Sequence, residues 1–170
     1  FVDKLQQYDF LIDEKEIEIA YRAGADAVLL ISRILPTEKM ISMAKKCQEL
    51  GLTALVELRL DEDVEKLAQV CKAVDTKYIA AGVNSRDLRD FTIDLLTPCT
   101  MLNKIRKVLG PQARVIFESG IRTPQSAAFV GSLGFAGMLL GEAAAKNPEI
   151  RNRPHTHLDL KYLLLYTFGN

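Results

Sequence analysis

Gly51-Leu52-Thr53-Ala54-Leu55-Val56-Glu57-Leu58-Arg59-Leu60-Asp61 carries the reading of the fold in one stretch. Gly51 closes a helical pattern that opens at Pro36-Thr37-Glu38, as a residue free to turn left-handed does. Ala54 to Leu58 is apolar at consecutive rather than alternate positions, so it reads as a strand covered on both faces, the condition of a parallel sheet. Asp61 then opens the next helix. Inside the apolar run stands Glu57, whose carboxylate costs several kcal/mol to bury unless it is paired or put to use.

The same unit recurs on either side. Apolar runs at Ala27-Val28-Leu29-Leu30-Ile31, Tyr78-Ile79-Ala80-Ala81-Gly82-Val83, Arg114-Val115-Ile116-Phe117-Glu118 and Gly137-Met138-Leu139-Leu140 read as strands, with a weaker one at Tyr8-Asp9-Phe10-Leu11-Ile12. Asp13 caps a helix ending at Gly24, and Thr123-Pro124 starts another ending at Gly134. Six such units with no break in composition predict one domain, residues 1–170, with an atypical tail over 151–170. The apolar residues of that tail, from Leu158 to Phe168, predict a last helix packed on the outside or on a partner.

Basic and acidic residues number 22 each, which leaves no net field to attract nucleic acid or an anionic membrane. Any bound anion must be held by local geometry. Cys47, Cys71 and Cys99 are scattered, which fits a reducing cytoplasm better than a disulfide framework; Cys71 reads as core. No apolar stretch reaches the roughly 20 residues that span a bilayer. Phe1 to Gln7 has neither an initiator Met nor the apolar centre of a signal peptide, so the sequence reads as starting inside a longer one.

Polar groups collect where the apolar runs end: Ser32, Glu57, Asn84-Ser85-Arg86-Asp87, Glu118-Ser119-Gly120 and Gly141-Glu142. In parallel barrels that rim is the active face, so Glu57 and Glu118 together read as functional. Asp87 reads as structural, an ion pair with Arg86 fastening a loop. Gly120 and Gly141 follow the last two strands, where backbone N–H groups can approach a phosphate. His155-Thr156-His157 reads as a surface pair rather than a metal site, and Lys39, Lys45, Lys46 and the run from Asp61 to Lys66 read as solvated helix faces.

Gly82-Val83-Asn84-Ser85-Arg86-Asp87-Leu88 resembles the signature of the indole-3-glycerol-phosphate synthases. Asp9-Phe10, Gly24 to Ile31, Ala54-Leu55-Val56-Glu57, Glu118-Ser119-Gly120-Ile121 and Leu139-Leu140-Gly141-Glu142 fall around it in the family's order, over about residues 8–148. The resemblance implies a (β/α)8 TIM barrel with about six of its eight βα units present. It implies a carboxy-lyase that closes the indole ring of a carboxyphenylamino-deoxyribulose phosphate, with loss of carbon dioxide and water, in tryptophan biosynthesis. Glu57 would be the acid/base group, Asn84 would hold a substrate hydroxyl, and Glu118 would position or polarise its neighbours. Ser119, Gly120, Gly141 and the backbone of Glu142 would surround the phosphate, while Phe10, Leu29, Ile31, Leu88 and Leu139 would line the aromatic pocket. The chemistry calls for no metal or organic cofactor, and the expected partner is a phosphorylated small molecule.

Three features depart from the family. Its two opening strands, which supply an essential Lys and Glu, have no counterpart; Tyr8 stands where a lysine is usual; and Glu142-Ala143-Ala144-Ala145 lacks a hydroxyl common there. The expectation is a chain completed by further sequence or by another copy, and inactive alone. Two other readings compete: a related phosphoribosylanthranilate isomerase-type barrel, and a catalytically degenerate homologue that binds a ligand or partner.

Overall fold

The computed structural model describes residues 11–87, 89–140, 156–160 and 163–167. Five βα-type strands run parallel: β1 (Ala27–Ile31), β2 (Thr53–Leu58), β3 (Ile79–Asn84), β4 (Val115–Glu118) and β5 (Gly137–Leu140). Each strand lies beside the next in sequence, as right-handed helical crossovers produce. The helices are α1 (Glu14–Arg22), α2 (Thr37–Leu50), α3 (Asp61–Ala73), α4 (Leu96–Leu109) and α5 (Pro124–Ser132).

Local chemistry explains most boundaries. Asp13 and Glu16 form a reciprocal cap at the start of α1, and Thr123 with Ser126 does the same for α5 behind Pro124. Gly51 ends α2 at φ 73°, a conformation that a side chain would strain. The sequence reading sets no bounds for α4; Asp94 starts it, accepting from Leu96 N–H at 2.9 Å and from the Thr97 hydroxyl at 2.8 Å.

Two readings of charged runs are corrected. Asp63 is not on a solvated face: it is 1% exposed and accepts from the N–H groups of Arg59 (2.9 Å) and Leu60 (2.8 Å), capping α3. Lys66, in the same run, donates to the carbonyls of Ser32 and Leu35. Lys39 also has partners, bonding Asp13 and Glu14, and this pulls the Glu14 carboxyl down to about 2.

Alternation along the strands sorts side chains onto two faces. Val28, Leu30, Ala54, Val56, Leu58, Ile79, Ala81, Val83, Val115, Phe117, Met138 and Leu140 pack against the helices in the main core. Leu55, Ala80, Ile116 and Leu139 form a smaller cluster on the opposite face, with Leu29 against it. Cys47 is in the main core and Cys71 lies partly buried beside it.

The tail differs from its reading as a helix. It forms β6 (Thr156–Leu160) and β7 (Leu163–Thr167), and β7 pairs antiparallel with β5, from Gly137↔Thr167 to Leu140↔Leu164. Leu158 and Leu160 alternate with His157 and Asp159, a two-residue period that suits a strand; β7 joins the edge of β5, and β6 pairs with β7 in turn. The weak opening strand is not formed at Leu11 and Ile12; its remainder lies outside the described residues.

Candidate active site

The site stands at the carboxyl ends of β2, β3 and β4, on the face of the smaller cluster. Ile31 is in register with Glu57, Glu57 with Gly82 and Gly82 with Ile116; the row beyond runs Asn84, Glu118, Leu139. Glu57, Asn84 and Glu118 are 6%, 7% and 2% exposed, so three polar side chains share one buried rim.

β3 separates the strands that carry the two carboxyls, and Gly82 lets them meet. A Cβ placed there would lie 1.7 Å from Glu118 Oε1, so the Glu118 side chain crosses the space above the glycine to reach Glu57. Asn84 completes the cluster. Its Oδ1 accepts from the Arg86 N–H at 2.9 Å, which leaves the amide NH2 as the group able to favour a charged Glu57 beside it.

Burial raises the pKa of Glu57 above the ordinary 4.5, against the hydrogen bonds from Glu118 and Asn84, which favour its charged form. Glu118 is raised further, by burial first and then by the charge of Glu57. Its Oε1 has no donor among the described residues, so the protonated form, able to donate toward Glu57, is the one this site favours. Two buried carboxyls this close, both raised, favour holding a proton between them over ionising together.

A pH dependence follows. Carboxyls whose pKa is raised by folding bind protons more tightly in the folded state, so the contribution of Glu57 and Glu118 to stability is most favourable below 4.5 and falls as pH rises toward their folded pKa values. Carboxyls lowered by pairing, such as Glu14, act only below that window. Urea unfolding at pH 5 and pH 8 should show the protein weaker at pH 8, and Glu118→Gln should flatten that difference. An unchanged difference in the variant would contradict a raised Glu118.

The other expected site residues divide into three groups. Leu29, Ile31 and Leu139 lie on the same face as the carboxyls. Ser119 and Gly120 form the reversal after β4, both left-handed at φ 66° and 74°, and the glycine is packed closely enough that a Cβ would meet Ser85 Oγ at 2.8 Å. Phe10, Leu88, Gly141 and Glu142 lie outside the described residues.

Ser32, at the rim, is structural: its hydroxyl donates to the Glu57 carbonyl at 2.6 Å and ties β1 to β2. Asp87 does fasten the loop, but its partners are Arg89 at 2.9 Å and Arg59 at 3.7 Å rather than Arg86. Adjacent residues in extended chain point opposite ways, and Arg86 is held in a bridge to Ile93. Among the described residues no cluster of His, Cys, Asp or Glu is placed to hold a metal, and no helix is long and apolar enough to cross a membrane.

Parallel strands with helices between them, and polar groups gathered at the strands' carboxyl ends, define a β/α-barrel architecture. In keeping with this, 3-hexulose-6-phosphate synthase from Salmonella typhimurium superposes with a TM-score of 0.59 over 81% of this chain and 63% of that one; at 19% identity the likeness concerns the fold alone. A sequence model of the family named indole-3-glycerol phosphate synthase matches residues 3–156, and the chain belongs to that family. Members from Pyrobaculum neutrophilum and Rhodopirellula baltica are each 38% identical over 142 residues, 84% of this chain and 53% and 51% of theirs. The chain thus spans about half the length of the curated relatives it matches.

Proposed function

We propose that this chain carries the acid–base half of an indole-3-glycerol phosphate synthase active site, acting on 1-(2-carboxyphenylamino)-1-deoxyribulose 5-phosphate. The observation that carries the reading is the buried Glu57–Glu118 pair, meeting over Gly82 with Asn84 on the same rim. Ring closure with loss of carbon dioxide and water needs a proton given to a carbonyl and later to a departing hydroxyl. A pair of carboxyls holding one proton between them can give and take in turn.

In this reading Glu57 is the acid/base group facing substrate. Asn84 holds a substrate hydroxyl, and Glu118 acts through Glu57. Ser119 and Gly120, with Gly141 and the Glu142 backbone, surround the phosphate; the tight left-handed reversal at 119–120 supports the first two. Leu29, Ile31 and Leu139, with Phe10 and Leu88, wall the aromatic ring, an apolar surface suited to it. The continuous hydrogen-bonded sheet from β1 to β7 supports a single domain, and three free cysteines fit the cytoplasm.

Full-length protein given the carboxyphenylamino substrate should produce indole fluorescence. Absence of turnover with tight product binding retained would favour a degenerate, ligand-binding homologue instead.

A further inference from the structure

We propose that Arg59 is a positioning residue for the Glu57–Asn84–Glu118 cluster, holding the end of β3 through the Asn84 carbonyl and the β3–α4 loop through Asp87. The proposal rests on the acid–base reading above and adds a residue to it.

Arg59 lies two residues beyond Glu57, where β2 has ended. Its backbone N–H is fixed by Asp63 at 2.9 Å, so the root of the side chain is held by the cap of α3. Its Nη1 donates to the Asn84 carbonyl at 2.8 Å, and its Nε stands 3.7 Å from Asp87 Oδ2. Both charged side chains are largely sequestered, at 13% and 14% exposure. The second contact is one of charge rather than a hydrogen bond, for Nε is buried without an acceptor among the described residues. A buried guanidinium with an unmet donor is an expensive way to join a loop to a strand; an apolar contact would do that at less cost.

What the guanidinium achieves is specific. Asn84 is held at two places, its carbonyl by Arg59 and its Oδ1 by the Arg86 N–H. Together these fix the residue's rotation, and with it the side chain that favours a charged Glu57. Asp87, Arg59's other partner, accepts the Phe91 N–H through its carbonyl at 2.9 Å and donates its own N–H to the Thr92 carbonyl at 2.8 Å. The loop that supplies Arg86 is thereby held to the same cation. Without Arg59 both supports of Asn84 can drift, and Glu57 loses the donor that favours its charged form.

The test uses the full-length protein with Arg59→Met and Arg59→Lys. The methionine variant should lower kcat about 10- to 100-fold with KM changed by less than about threefold, since misaimed groups reduce turnover more than binding. The acidic limb of its pH–rate profile should move to higher pH, and carbon-13 NMR titration should show the Glu57 carboxyl raised. Lysine, which can still donate to the Asn84 carbonyl, should recover part of both effects. An unmoved Glu57 titration with kcat within about twofold of wild type, and only a lower Tm, would overturn the proposal and leave Arg59 a loop fastener. The NMR readout needs no turnover. A wild-type protein that fails to make indole product would therefore refute the enzymatic reading separately, while the titration still judges Arg59.

Discussion

Replacing Glu57 with glutamine in the full-length protein should lower kcat about 100-fold or more, while the melting temperature holds or rises. Glutamine matches glutamate in shape and can still accept from the Asn84 amide, so the packing of a side chain that is 6% exposed survives. What is lost is a base that can hold a proton and release it. The rise in stability follows from the sign of the shift. Burial disfavours the Glu57 carboxylate, so near pH 7 the folded protein bears a cost that an uncharged amide avoids. Indole fluorescence measures turnover and calorimetry measures melting. Turnover within a few-fold of wild type, together with a lower melting temperature, would make Glu57 a structural carboxyl.

Gly82→Ala should be nearly as damaging, although it adds a single methyl group. That carbon would sit 1.7 Å from Glu118 Oε1, so the Glu118 side chain must leave its path. Overpacking of this kind costs about 1–3 kcal/mol, and turnover should fall about 100-fold as the carboxyls separate. The double variant Gly82→Ala/Glu118→Ala separates the two effects. With the long side chain gone the methyl has room, so the alanine at 82 should then cost far less stability than it does alone. Equal costs in both backgrounds would show that the glycine serves the backbone and not the crossing side chain.

Much of this was readable from residue order, for stated reasons. Continuous apolar runs marked strands buried on both faces, and Gly51, Asp13 and Thr123-Pro124 marked helix ends, because those signals are local. The rim positions of Glu57, Asn84 and Glu118 followed from their places at strand ends. Their mutual contact did not, because it depends on register and on a glycine in the strand between them. Asp63 and Arg59 were equally hidden: within a charged stretch nothing distinguishes the one carboxylate that folds back onto the chain, and nothing near Arg59 in sequence names Asn84 as its partner, 25 residues away. The tail is ambiguous in sequence, because its leucine-rich composition suits a helix while its alternation over 157–160 suits a strand. The rim partners Phe10, Leu88, Gly141 and Glu142 remain expectations from the family resemblance.

The cap of α3 has a second audience. Asp63 secures the helix start through two main-chain hydrogen bonds, and its negative charge also reaches Glu57, adding to the difficulty of ionising it. One side chain thus serves both the scaffold and the acidity of a buried carboxyl. Any lineage that trades this aspartate for a neutral cap retunes its proton chemistry in the same stroke, so robustness and reactivity here are inherited together.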